Sequence, residues 1–277
     1  MIQDFLQYDF LRNSLFAGLL IGLAAPLLGV FVVIRRLSLI ADALSHVTLA
    51  GIAASLLVEK TIFTGGFINP LYMGMAFSIG GAMLIEKLRG VYKHYQELAI
   101  PIILSSGIGL SVIFISLANG FNTDLFNYLF GSVSAVSNSD LLAIVFVTLL
   151  VIVVIISLFK ELFLLSFDEE YAIATGLRSK WIQFIFIILV ALVIASSMRV
   201  VGILLVSSLM TIPVAASIRI AKGFKQTIFF SILFGEISVI GGLITSYQLN
   251  LAPGGTIVMI AVIILIGAIV WKKQKTA

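Results

Sequence analysis

Nine long apolar runs, separated by short polar gaps, constrain the fold of this chain more than any other feature of its sequence. About 20 apolar residues in an α-helix suffice to cross the hydrocarbon core of a bilayer. Only 11% of the residues are charged, whereas a soluble domain carries about a quarter. The sequence therefore predicts an all-α polytopic membrane protein, a single transmembrane domain over 1–277, with about nine transmembrane helices. They are expected at about 14–34, 37–58, 70–86, 98–117, 140–165, 182–197, 200–218, 226–248 and 255–271.

Positive charge collects in alternate gaps between these runs. The intervening gaps, TIFTGGFINP, NGFNTD and YQLNLAPGG, are nearly free of Lys and Arg. Because cytoplasmic loops carry the excess of Lys and Arg, we expect an external N-terminus and a cytoplasmic C-terminus. Arg199 falls on an external turn in this scheme and is interpreted as an arginine that snorkels at a helix end. The basic clusters are Arg35/Arg36, Lys87/Arg89/Lys93, Arg178/Lys180, Arg219/Lys222/Lys225 and Lys272/Lys273/Lys275.

The residue inventory excludes several classes of function. The chain has no cysteine and therefore no thiolate metal site. It has no G-x-x-x-x-G-K-[ST] phosphate loop, so we expect that it is not itself an ATPase. We expect a transport subunit rather than an enzyme. An intramembrane metalloprotease would need an H-E-x-x-H motif, whereas the two histidines, His46 and His94, lie far apart. The net charge of +4 suits orientation at a membrane better than binding of nucleic acid.

The stretch RRLSLIADALSHVTLAG places a carboxylate and an imidazole four residues apart within an apolar run. Asp42 and His46 should therefore lie on the same face of a helix. Ionisable groups are costly in a membrane, and they mark either a substrate path or a structural pair. Since both side chains can ligate a divalent metal, one interpretation is a metal-contacting pair. The other is that Asp42 caps or orients the helix and His46 hydrogen-bonds to it.

Two further features also allow two interpretations each. Glu236, in FFSILFGEISVIGG, is a deeply placed carboxylate that could line an ion path or could bond to Ser231, Ser238 or a backbone group. The semi-apolar piece at 121–136 is broken by Gly and Ser, which suggests a re-entrant or interfacial helix rather than a crossing.

The most polar stretch of the second half, SFDEEYAIATGLRSK at 166–180, predicts a short amphipathic helix on the cytoplasmic surface. Acidic residues favour a helix N-terminus, and a glycine favours a C-terminal stop. A solvated connector is the alternative. The acidic residues are Asp168, Glu169 and Glu170, the apolar face is Tyr171, Ala172, Ala174 and Leu177, and the stop is Gly176.

Several stretches in order along 10–260 resemble the membrane permeases of bacterial zinc, manganese and iron ABC importers. The most specific are RRLSLIADALSH and VGILLVSSLMTIP, and others are NYLFGSVSAVSNSDL, DEEYAIATGL and SYQLNLAPGGTIVMI. The resemblance implies the ABC importer permease fold and a location in the bacterial cell membrane. It also implies that residues 166–180 form the helix that couples transport to ATP hydrolysis, through Asp168, Glu169, Glu170, Ala172, Ala174, Gly176 and Leu177.

The resemblance further implies the partners and the cargo. Two copies of this chain would form the path, a separate cytoplasmic ABC ATPase dimer would supply energy, and an extracytoplasmic binding protein would deliver the metal. No cofactor would be bound permanently, and Asp42 and His46 would contact the transported ion. Zn²⁺ is favoured, with Mn²⁺ or Fe²⁺ as alternatives of the same family. A gradient-driven secondary transporter is the rival, but it would need no docking helix and often shows internal repeats.

Overall fold

Long α-helices make up almost all of the structure, a computed structural model that describes residues 8–61, 69–118, 123–132 and 136–276. No β-strand occurs in these residues. A single 3₁₀ turn, Gln96–Leu98, precedes the fourth helix. The helices are α1 Asp9–Ile34, α2 Ser38–Thr61, α3 Pro70–Val91, α4 Ala99–Leu117, α5 Thr123–Phe130, α6 Asn138–Ser157, α7 Phe159–Phe167, α8 Glu169–Ala174, α9 Ser179–Val201, α10 Ile203–Ile220, α11 Phe224–Leu249 and α12 Pro253–Thr276.

The helices that can cross a membrane agree with the apolar runs. Within the described residues, eight are long and apolar enough by length and composition: α1, α2, α3, α4, α6, α9, α11 and α12. The ninth expected crossing corresponds to α10, whose apolar part, Leu205–Ile220, is shorter. The run expected at 140–165 is not one helix, because it breaks at Leu158 into α6 and the short α7.

The ends of the helices are fixed by local chemistry. The side chain of Asn69 accepts a hydrogen bond from the backbone N–H of Leu71, and Pro70 opens α3, where its missing N–H costs nothing. Ser137 and Asp140 form a capping box at the start of α6. Gly202 separates α9 from α10 with φ of +87°, and a β-carbon there would lie 2.5 Å from the carbonyl oxygen of Leu129. Only glycine fits that turn.

The packing divides the helices into an inner and an outer set. α1, α2 and α9 are buried over most of their length, whereas α3, α4, α6, α11 and α12 expose apolar faces. α2 lies against α3, α4 and α10, and α1 lies against α6, α9, α10 and α11. The helix that carries Asp42 and His46 is therefore central, and the helix that carries Glu236 lies against α1, α10 and α12.

The segment at 121–136 contains α5, an eight-residue helix. At 1.5 Å per residue it spans about 12 Å, which is too short to cross a bilayer. It packs against α2, α9, α10 and α12. Residues 121–122 and 133–135 lie outside the described residues. In the rest of the segment, the short helix agrees with the expectation of a re-entrant or interfacial helix rather than a crossing.

Arg199 does not snorkel, contrary to the expectation from the sequence. Its Nη1 lies 2.8 Å from Oδ2 of Asp140, and its guanidinium carbon lies 5.1 Å from the ring centroid of Tyr128. Asp140 is only 1% exposed and also accepts hydrogen bonds from Ser137. The pair ties the end of α9 to α5 and to the start of α6. An arginine on the predicted external side is therefore retained by a buried counter-charge.

We expect Arg199→Met to lower the free energy of unfolding by about 3 kcal/mol, because it leaves Asp140 buried without its cation. The matched control is Arg12→Met, which removes the ion pair with Asp9, where the two side chains are 45% and 80% exposed. That exposed pair contributes at most about 1 kcal/mol. Denaturant unfolding in detergent micelles measures both. Equal losses in the two variants would contradict the structural role of Arg199.

Candidate functional site

The Asp42–His46 pair lies in the first half of α2. Asp42 is four residues from the start of the helix and His46 is eight residues from it. At 1.5 Å per residue these positions lie about 6 Å and about 12 Å along a helix of about 36 Å. His46 is therefore a third of the way along α2 rather than at its middle. Both side chains are half-buried, while their helix neighbours Ala41, Ala43 and Ser45 are buried.

A close approach of α4 fixes the backbone around His46. A β-carbon at Gly107 of α4 would lie 2.9 Å from the amide nitrogen of Val47, so only glycine permits this contact. Ser111, one turn further along α4, places its Oγ 3.1 Å from the carbonyl oxygen of His46. The backbone that carries the imidazole is thus held in place by the contact between α2 and α4, as a ligand site requires.

The side chains of the pair have no hydrogen-bond partner within the described residues. The carboxylate of Asp42 is near enough to influence the His46 ring electrostatically, but no hydrogen bond joins them. The polar neighbours on α2 bond within the helix instead, Ser45 to the carbonyl of Ala41 and Thr48 to that of Leu44. The hydrogen-bonded pair considered from the sequence is therefore absent in this part of the chain, and two ligand groups remain available.

Glu236 lies near the middle of α11, at the closest contact between α11 and α1. A β-carbon at Gly22 would lie 3.2 Å from its Cδ, and one at Gly235 would lie 2.4 Å from Cγ of Pro26. Oε2 of Glu236 is buried and has no hydrogen-bond partner among the residues that the structure describes. The two serines expected as partners are engaged elsewhere, Ser231 with Thr227 and Ser217, and Ser238 with the carbonyl of Phe234.

The structure does not bring Glu236 to the Asp42–His46 pair. α11 packs on α1, α10 and α12, whereas α2 packs on α3, α4 and α10. Among the described residues, no group of three His, Asp or Glu side chains is close enough to hold a metal ion. One chain therefore offers two ligands at the pair and a separate carboxylate on another helix.

The segment expected to be a cytoplasmic helix contains α8, shorter than the predicted 166–180. Asp168 caps it, since its Oδ1 accepts a hydrogen bond from the backbone N–H of Tyr171 at 2.8 Å. Gly176 follows it with φ of +84°, which provides the predicted stop.

The two faces of α8 differ in exposure. Ala172 is fully buried, whereas Tyr171 and Ile173 are 57% and 55% exposed. Ala174 and the three acidic residues are also exposed, and Leu177 is half-buried beyond the helix end. Ala172 thus anchors the helix to the protein, while its acidic and apolar residues face outwards.

A polar network beside α8 connects three helix ends. Arg35, directly after α1, donates from Nη2 to Oε1 of Gln183 at 2.8 Å, and Gln183 donates from Nε2 to Oε1 of Glu86 at 3.1 Å. Glu86 also lies 3.3 Å from Nη1 of Arg89. Burial lowers the pKa of Arg35, and the negative charge of Glu169 on α8 acts in the opposite direction. Arg35 remains charged all the same.

The sequence did not predict this network. The negative charge of Glu169 on α8 acts on Arg35, which lies in the turn that opens α2, where Arg36 has φ of +57°. A signal existed in Gln183, a polar residue inside an apolar run, and in Glu86, an acidic residue next to a basic cluster. The sequence does not show which residue on another helix either side chain contacts.

Comparison with known proteins places the chain in a family. The ABC 3 transport family model matches residues 7–272. The "Probable metal transport system membrane protein" of Treponema pallidum (strain Nichols) is 35% identical over 260 residues, 94% of each chain. The "Manganese import system permease protein ScaB" of Streptococcus gordonii is 34% identical over 280 residues, 99% of this chain and 98% of ScaB.

A solved structure has a similar fold. The chain matched in PsaBC from Streptococcus pneumoniae in complex with Fab has a TM-score of 0.82 and 30% sequence identity, and the match covers 97% of this chain and 95% of that one. The agreement of a family model, full-length relatives and a solved fold shows that this chain belongs to the ABC 3 transport family.

Proposed function

We propose that this chain is the membrane permease of an ATP-driven importer for a divalent transition-metal ion, with Asp42 and His46 as transient ligands on the ion path. The observation that supports this most is a carboxylate and an imidazole on a central helix that α4 holds in place, neither of which has a hydrogen-bond partner in the described part of the chain. Burying such groups is costly, so their retention inside a membrane protein suggests a functional partner.

The incompleteness of the pair suits transport. A structural zinc site holds four protein ligands, whereas a site that must release its ion needs fewer or weaker ones. Two ligands from one chain leave room for water or for the equivalent pair of a second copy. The ion is thus cargo rather than a resident cofactor.

We propose Mn²⁺ as the main cargo, in place of the Zn²⁺ that the sequence had favoured. The names of the relatives give zinc no support, since ScaB is named for manganese import. Manganese accepts carboxylate and water oxygen more readily than zinc does, and a site of one carboxylate, one imidazole and water provides them. Fe²⁺ is the remaining alternative.

The energy would come from a separate ATPase dimer docked at α8. The exposed acidic residues, Tyr171 and Ile173 of α8 form a surface that a cytoplasmic protein could cover. The negative charge of Glu169 acts on Arg35, and the hydrogen bonds from Arg35 through Gln183 reach Glu86, so displacement of α8 would change the electrostatic environment of the turn that opens α2. We propose that this connection transmits ATPase motion to the helix that carries the metal ligands. The orientation with the N-terminus outside and delivery by an extracytoplasmic binding protein complete the proposal.

We expect Asp42→Ala and His46→Ala each to reduce metal uptake at least about tenfold, because removal of either leaves too few ligands for the ion. Proteoliposomes that contain the assembled transporter measure the uptake, and co-purification of the ATPase checks assembly. Ser45→Ala is the control, since Ser45 lies between the two ligands and bonds only to its own helix. Unchanged uptake in the His46 variant would rule out the assignment.

The carboxylate of Glu236 has a separate test. If it lies on the ion path, Glu236→Gln should lower uptake at least about fivefold, although the amide preserves the size of the side chain. If it only packs against Gly22, the amide should pack there equally well, and uptake should stay unchanged. Thermal stability of the variant, which should match that of the unmodified protein, separates loss of transport from misfolding.

Reversal of charge on α8, with Glu169→Lys and Glu170→Lys together, should uncouple ATP hydrolysis from uptake. Ala172→Pro should have the same effect, since it removes the hydrogen bond from Ala172 N–H to the carbonyl of Asp168. The ratio of metal transported to ATP hydrolysed measures the coupling. Lys93→Glu, a charge reversal on the same side of the membrane, is the control. A normal ratio in both α8 variants would contradict the docking role.

A further inference from the structure

A cavity of about 640 Å³ opens at the cytoplasmic end of the helices, between α7 and the start of α11. Its apolar lining is aromatic and aliphatic: Phe159, Phe163, Leu164 and Phe224. The ring of Phe224 lies 5.0 Å from that of Phe163 and 5.4 Å from that of the buried Phe31. The floor of the cavity is therefore formed by aromatic rings that pack against one another.

Three ammonium groups surround this apolar cavity. Lys160, Lys222 and Lys225 belong to its lining, and all three are exposed. Among the described residues none of them forms an ion pair. Glu161 follows Lys160 in sequence, but it does not line the cavity, and its Oε2 is buried. The site thus combines an apolar interior with an uncompensated positive rim.

The surfaces that continue from the cavity are apolar as well. On α6, Val153 and Ile156 are 60% and 71% exposed, one to two turns before Phe159. On α11, Phe229 and Leu233 are 63% and 40% exposed, one to three turns after Phe224. Exposed apolar side chains at this depth are suited to hydrocarbon. The cavity thus lies where a membrane-spanning surface meets the cytoplasmic rim.

We propose that this cavity binds an anionic phospholipid of the cytoplasmic leaflet. The phosphate headgroup lies among Lys160, Lys222 and Lys225, and an acyl chain covers Phe163 and Phe224 and continues along α6 and α11. Basic pockets between transmembrane helices on the cytoplasmic side suit such headgroups, because they supply charge and apolar contact together. A soluble anion would contact the lysines but not the apolar lining, and a neutral lipid would contact the apolar lining without neutralising the lysines.

An acidic surface of a cytoplasmic protein is the competing occupant. It would complement the lysines, but it would leave the aromatic interior and the exposed faces of α6 and α11 without a partner. The docking surface proposed above lies on α8, whose exposed residues do not line this cavity. The lipid accounts for both the charge and the apolar lining.

Titration of the full chain with phosphatidylglycerol or with phosphatidylcholine of the same acyl chains, followed by native mass spectrometry, tests the proposal. We expect tighter binding of phosphatidylglycerol. Lys222→Gln with Lys225→Gln should weaken that binding roughly 30-fold, at about fivefold for each basic residue. Lys87→Gln with Lys93→Gln removes the same charge from exposed residues outside this cavity and should change binding less than about twofold.

A second measurement locates the lipid. With Trp181 and Trp271 replaced by Phe, Phe163→Trp places a single tryptophan in the cavity, and brominated phosphatidylglycerol should quench it more strongly than brominated phosphatidylcholine. Equal binding of the two lipids, or equal weakening by the two lysine pairs, would overturn the proposal. So would a Lys222/Lys225 variant that keeps its lipid but no longer retains the ATPase, since the surface would then belong to that protein.

Discussion

Hydrocarbon offers no hydrogen-bond partner, and this constraint explains which polar side chains the chain can keep inside the membrane. Most of those buried within the helices bond to protein atoms, as Ser45, Thr48 and Ser231 do. Arg199 is retained because Asp140 and Tyr128 surround it. Asp42, His46 and Glu236 differ from these residues, since the structure shows neither an ion pair nor a hydrogen bond for their side chains within the described residues. These exceptions indicate where a cation could be accommodated.

The polar sites of this chain are of two kinds: one holds helix ends together, and the other could bind an ion. The network of Arg35, Gln183 and Glu86 is bonded from side chain to side chain and holds three helix ends together beside α8. The Asp42–His46 pair is held only through its backbone, by Gly107 and Ser111 of α4. A rigid network next to a sparsely bonded pair suits a transporter, in which motion arises at the cytoplasmic end and the ion is held loosely within the membrane.

The sequence predicted the helices well, because the length of a hydrophobic run reports directly on the thickness of the bilayer. It also predicted the acidic N-terminal end and the glycine stop of α8, since Asp168 and Gly176 act locally. It did not predict contacts between distant helices. Asp140 looked like the edge of an apolar run and Arg199 like an isolated exception, yet they form one pair across 59 residues. Likewise, nothing in the sequence around Glu236 showed that it would pack on Gly22, away from the Asp42–His46 pair.

The central claim is that this chain conducts a divalent transition metal past Asp42 and His46. The most direct test is ATP-driven uptake of radioactive Mn²⁺, Zn²⁺ and Fe²⁺, each alone, by the complete transporter reconstituted in proteoliposomes. We expect uptake that requires ATP, with Mn²⁺ transported fastest. Uptake of none of these ions, or uptake that follows an ion gradient without ATP, would contradict it.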